Sequence, residues 1–151
     1  MMKKLILLIH IFLLPTFIFA QDDEYSTLSK EQEERVIEVA GIWIEEIFKA
    51  EDVDKIMQVS DIPFSVERRK IVNSRAELRM LYLGVFEEKG KRSVPKFEKE
   101  ILEHVYKIEN TCYPLNFVNV KIFVRKGEYK GEAIVCVAIK DDEYKVVGFS
   151  D

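Results

Sequence analysis

The chain has 151 residues, with 23 basic and 27 acidic side chains and a formal charge of −4. A net-negative surface repels phosphate backbones and anionic lipid headgroups, which argues against nucleic-acid binding. Two histidines and two cysteines are too few for a multi-histidine metal site or a structural zinc site, so neither a metal nor another cofactor is expected.

Residues 1–20 have the pattern of a signal peptide. Lys3 and Lys4 form a basic start, Leu5 to Leu14 an apolar run closed by Pro15, and Ala20 precedes the polar Gln21-Asp22-Asp23-Glu24. The apolar run is shorter than the ~20 residues of a spanning helix. The expectation is export, to a periplasmic or extracellular location, with no stable membrane anchor after cleavage. Residues 21–28 read as a mobile lead-in and 29–151 as a single domain, long enough for a real core.

Ser29-Lys30-Glu31-Gln32 has capping-box spacing, in which the Ser hydroxyl and the Gln side chain satisfy backbone N–H groups at a helix start. Val36, Ala40, Trp43 and Ile47, flanked by Ile37, Ile44 and Phe48, follow on one helical face. Asp52 is placed to cap a short second helix carrying Val53, Ile56 and Met57. Pro63 lacks a backbone donor and biases Ile62 toward extended geometry, so Asp61 to Val66 reads as an edge strand or a bend. Ile71-Val72-Asn73 fits a short strand. Ser74-Arg75-Ala76-Glu77 repeats the capping-box spacing ahead of a third helix, with Leu78, Leu81, Tyr82, Val85 and Phe86 inward and Gly90 as its stop. Between Pro95 and Pro114, Phe97 to Leu102 reads as an edge strand that extends a sheet, although Phe97, Ile101, Val105 and Ile108 also fit a helix.

The last third, Phe117 to Phe149, holds three runs rich in β-branched and aromatic residues: Phe117 to Val124, Glu132 to Ile139 and Tyr144 to Phe149. Their short connections suit hairpins and predict an antiparallel meander. The middle run is apolar on both faces, with Ala133, Val135, Val137 and Ile139 on one and Ile134, Cys136 and Ala138 on the other. Both faces therefore need cover. A hairpin centred near Glu128 places Val120 beside Cys136.

The passage from Ile44-Glu45-Glu46-Ile47-Phe48 through Ala50 into Glu51-Asp52-Val53-Asp54-Lys55-Ile56, then Ile62-Pro63-Phe64 and the closing Tyr144 to Phe149, resembles the nuclear transport factor 2-like superfamily over about residues 30–151. The resemblance implies an α+β cone in which N-terminal helices pack on a curved antiparallel sheet. It also implies a pocket between helices and sheet, lined by apolar residues. Trp43, Phe64, Leu81 and Phe86 are the expected lining. Members include ketosteroid isomerase-like enzymes, dehydratases, cyclases and non-enzymatic binding or dimerisation modules.

No catalytic signature of that superfamily transfers. Asp61 at the mouth, Tyr82 or His104 would have to serve as the acid–base group of a small lyase or isomerase. His104 is the one histidine beyond the signal segment and otherwise a surface or edge residue. Cys112 and Cys136 could form a disulfide in an oxidising compartment, but a chain of this size does not need one. Arg68-Arg69-Lys70, with Lys89, Lys91 and Arg92, reads as a solvated loop surface. The leading expectation is an exported, non-enzymatic module that binds an apolar small molecule or a protein partner, or pairs as a homodimer through the outer face of the sheet.

Overall fold

The computed structural model describes residues 28–89, 94–105, 116–126 and 128–150. Its elements are α1 (Lys30–Lys49), α2 (Val53–Gln58), β1 (Ser60–Val66), β2 (Lys70–Val72), α3 (Arg75–Lys89), β3 (Lys96–Val105), β4 (Asn116–Lys126), β5 (Tyr129–Lys140) and β6 (Glu143–Ser150). The expected signal peptide, Gly90, Lys91, Arg92 and Cys112 lie outside the described residues.

Each helix starts where its capping residue dictates. Ser29 Oγ accepts from the Gln32 backbone N–H at 3.2 Å while the Gln32 side chain accepts from the Ser29 N–H at 2.9 Å, the reciprocal pair of a capping box. Asp52 accepts from the N–H groups of Asp54 and Lys55 at the head of α2. Ser74 Oγ accepts from the Glu77 N–H at 3.1 Å at the head of α3. α1 stops at Ala50, whose N–H still makes the helical bond to the Glu46 carbonyl and whose left-handed φ of 50° then turns the chain out of the helix. The apolar stripe of α1, Val36, Val39, Ala40, Trp43, Ile44 and Ile47, is buried. Burying a large apolar side chain stabilises by about 1.5–3 kcal/mol, which outweighs differences in helix propensity.

The sheet has six strands in the order β2-β1-β6-β5-β4-β3. Neighbours are antiparallel except β1 and β6, which run parallel. The sheet is therefore mixed rather than wholly antiparallel. The Pro63 segment is not an edge either, because β1 lies between β2 and β6. Pro63 is tolerated there because β2 pairs only from Phe64 onward and the ladder to β6 is irregular between Ser60 and Ser65, so its missing N–H is not needed. The Ile62–Pro63 peptide is cis. Lys96–Val105 is a strand and occupies the sheet edge, as the sequence favours.

The β4–β5 hairpin differs by one residue from the expected register. Lys126 pairs with Tyr129, which centres the hairpin between residues 127 and 128 and sets Val120 opposite Val135 and Asn119 opposite Cys136. The pleat then turns Val118, Val120, Ile122 and Val124 with Val135 and Val137 toward the helices, where they join the main core. Phe117, Ala138 and Val147, with Cys136 packed against them, form a second cluster. Both faces of β5 are thus buried: Val137 is 0% exposed and Ala138 4%.

Candidate functional site

Between α1, α3 and the inner face of β4, β5 and β6 lies a cleft of about 310 Å³. α1 contributes Trp43, Ile44, Ile47 and Phe48, α3 contributes Leu81, Tyr82, Val85 and Glu88, and the sheet side is made by Val124, Gly131, Glu132, Ala133 and Phe149. The helical residues recur at spacings of three and four, so one stripe of each helix forms a wall. Such a concave, mostly apolar volume with few polar groups is the usual form of a small-molecule site, and this one lies at the small end of the range.

At the floor, a buried relay of hydrogen bonds ties the walls together. The Trp43 indole N–H donates to Tyr82 Oη at 3.0 Å, and the hydroxyls of Tyr82 and Ser60 are 2.8 Å apart. Ser60 Oγ in turn donates to the Ile56 carbonyl at 2.7 Å. An indole nitrogen only donates and a carbonyl only accepts, so the proton order is fixed: Tyr82 donates to Ser60. Burial pushes the Tyr82 phenol up to about 12, against smaller opposing effects of the bonds to Ser60 and Trp43. Tyr82 is therefore neutral and its proton is already committed. Arg75 fixes the junction of α2 and β1 from outside, donating to the carbonyls of Met57 at 2.8 Å and Ser60 at 3.2 Å.

Of the expected lining, Trp43 and Leu81 form the wall. Phe64 is fully buried behind it, with its ring 6.3 Å from Trp43 and edge-on to Tyr82 at 5.9 Å. Phe86 packs against the core and is not part of the wall. Both are apolar residues on inward faces, where the sequence offers no distinction between lining a cleft and filling the space beneath it. Phe149, expected only as the end of the closing strand, stands in the cleft wall with its ring 5.4 Å from Trp43.

The acid–base candidates are not brought together. Asp61, on β1, accepts from the Ile62 N–H at 2.9 Å, lies 3.6 Å from Arg75 and is 47% exposed, away from the cleft. His104 sits on β3 opposite Val118, and its side chain lies outside what is described. Three strands separate β1 from β3, so at a strand spacing of ~4.8 Å those backbones are roughly 19 Å apart. Cys136 is a thiol that donates to Asn119 Oδ1 at 3.0 Å. Among the described residues no group of three or more His, Cys, Asp or Glu side chains could hold a metal ion. Also among them, no helix is long and apolar enough to cross a membrane.

A second, shallower depression is lined by Asp54, Met57, Gln58, Arg75, Ala76 and Arg79. Its arginines are already engaged, Arg75 as above and Arg79 with Asp54. The Arg79 guanidinium holds the Asp54 carboxyl below its ordinary value, first through the hydrogen bond and then through its charge.

No family model and no curated protein matches the sequence. Solved structures do. A protein of unknown function with a cystatin-like fold from Nostoc punctiforme superposes with a TM-score of 0.52 at 12% identity, over 82% of this chain and 91% of that one. The protein Rd1NTF2_05 with long sheet gives a TM-score of 0.51 at 9% identity, over 82% and 99%. The helical cell shape determining protein of Campylobacter jejuni gives 0.53 at 13% identity, over 81% of this chain and 42% of that one. The chain thus has the nuclear transport factor 2-like, cystatin-like α+β fold, helices packed on one six-stranded mixed sheet.

Proposed function

We propose that this chain is an exported, non-catalytic binding module whose cleft takes an apolar small molecule. The observation that carries the reading is the cleft itself: about 310 Å³ enclosed by Trp43, Ile44, Ile47, Phe48, Leu81, Val85, Ala133 and Phe149. Apolar surface withdrawn from water on such walls contributes about 25 cal/mol per Å² to binding before ordering costs are subtracted. The committed proton of Tyr82 supports binding over acid–base chemistry, because a phenol held neutral in a closed relay neither accepts a proton near neutrality nor readily gives one. The basic start and apolar run of residues 1–20 support export.

Trp43 is the only tryptophan of the chain and stands in the wall, so its emission reports occupancy. Purification of the natively expressed protein followed by native mass spectrometry should show a co-purifying apolar molecule whose removal shifts the Trp43 emission. A preparation that carries no such molecule, and whose Trp43 emission does not respond to any apolar compound, would refute the reading.

A further inference from the structure

The walls of the cleft are apolar but its mouth is not neutral, and we infer that its ligand is an amphipathic cation: an apolar body with one ammonium-type group held at Glu88. This rests on the binding reading above and specifies its ligand class. The cleft has a direction. At its inner end Trp43 and Tyr82 are 2% and 0% exposed, whereas Glu88, two turns further along α3 than Leu81, is exposed.

Three features favour positive charge at that mouth. Along the wall, exposure rises from buried Trp43, Ile44 and Ile47 to half-buried Phe48 on α1, and from buried Tyr82 through half-buried Val85 to exposed Glu88 on α3. Both helices therefore end there, and the last carbonyls of a helix form its negative pole. Glu88 adds a full negative charge in the last turn of α3, a place where a carboxylate opposes the helix dipole. It has no hydrogen-bond or ion-pair partner among the described residues. Of the described charged groups beside it, Lys49, in the last turn of α1, pairs with Glu45 and Glu46, and Glu132, in the cleft wall, pairs with Lys121 at 2.9 Å. A carboxylate that weakens its own helix and borders an apolar cleft is accounted for by a ligand that brings the cation.

The test compares dodecyltrimethylammonium, dodecyl sulfate and the uncharged alcohol dodecanol, at concentrations that leave the far-ultraviolet circular dichroism unchanged, with Trp43 emission as readout. The ammonium compound should bind about 1.4- to fivefold tighter than the alcohol, the range an exposed ion pair supplies, and the sulfate more weakly than either. Glu88→Gln should abolish the preference and Glu88→Lys should reverse it. Glu87→Gln, one residue away and not in the wall, should leave it intact. Equal binding of all compounds, or equal effects of the substitutions at Glu87 and Glu88, would overturn the inference while leaving the apolar cleft standing. Failure of dodecanol and both charged compounds alike to alter Trp43 emission would overturn both.

Discussion

The indole of Trp43 and the phenol of Tyr82 are joined by a buried hydrogen bond of 3.0 Å that links α1 to α3 at the floor of the cleft. The same phenol passes its own proton to Ser60, so removing one oxygen orphans a donor and takes away an acceptor's partner. Tyr82→Phe should therefore lower stability by about 1–3 kcal/mol in urea unfolding, the cost of a buried donor left without its acceptor. Ser60→Ala should cost a similar amount. Doing both at once should cost less than the sum, because the two act on one relay. Additive losses would show that the relay is not coupled.

The same phenol sets a limit on alkaline stability. Its ordinary value is 10.0 and the folded value is about 12, so the unfolded chain loses this proton first as pH rises. The folded state's advantage is complete below about pH 10 and is lost progressively up to about pH 12. Over that window the Tyr82 contribution falls by about 2–3 kcal/mol, at 1.36 kcal/mol per unit. Urea midpoints measured across this range should drop faster in the wild type than in Tyr82→Phe, which has no phenol at this position to titrate. Parallel curves would contradict this assignment.

Two glycines should respond in opposite directions to a single methyl group. A Cβ on Gly148 would lie 2.8 Å from the Ser65 carbonyl oxygen and 2.9 Å from Ser65 Cβ, across the parallel β1–β6 contact where backbone cannot give way. Gly148→Ala should destabilise by about 1–3 kcal/mol. At Gly41, within α1, a Cβ would meet only the end of the Lys99 side chain, which can swing aside. Gly41→Ala should gain about 0.5 kcal/mol from helix propensity and reduced unfolded-state entropy. Thermal unfolding of both variants checks the pair, and a stabilised Gly148→Ala would show that β1 and β6 are not in contact there.

The β5–β6 hairpin turns on Asp141 and Asp142, both left-handed with φ of 51° and 62°. That is a type I′ pattern, which favours Asn-Gly. Asp142→Gly relieves about 1 kcal/mol of left-handed strain but gives part of it back as unfolded-state entropy, so stability should rise by no more than about 0.5 kcal/mol. A loss in urea unfolding would mean that the Asp142 side chain contributes more than its backbone costs.

Local features were legible in the sequence because they depend on neighbours along the chain. Ser29, Asp52 and Ser74 cap helices in the structure through the backbone groups their spacing indicates. The alternation in Glu132 to Ile139 correctly separates its two buried faces. What depends on distant pairing was not legible. The parallel contact of β1 with β6 joins segments more than 75 residues apart and carries no local signal, so Pro63 by itself points to an edge strand or a bend. Half a residue in the hairpin centre was enough to set Asn119 rather than Val120 beside Cys136. In the cleft, Trp43 and Leu81 were identified but Phe64 and Phe86 were not separable from them, because hydrophobicity is the same on either side of a wall. The wide separation of Asp61 from His104 is a property of strand order alone.

The most direct test of the cleft as a binding site is an NMR titration of isotopically labelled protein with a neutral long-chain alcohol, following methyl groups throughout the core. Ligand in the cleft should give saturable shifts concentrated at Ile44, Ile47, Leu81, Val85 and Ala133, with Val72 and Leu78, buried elsewhere in the core, unmoved. Shifts spread evenly over the core, or confined to residues outside the cleft, would contradict it.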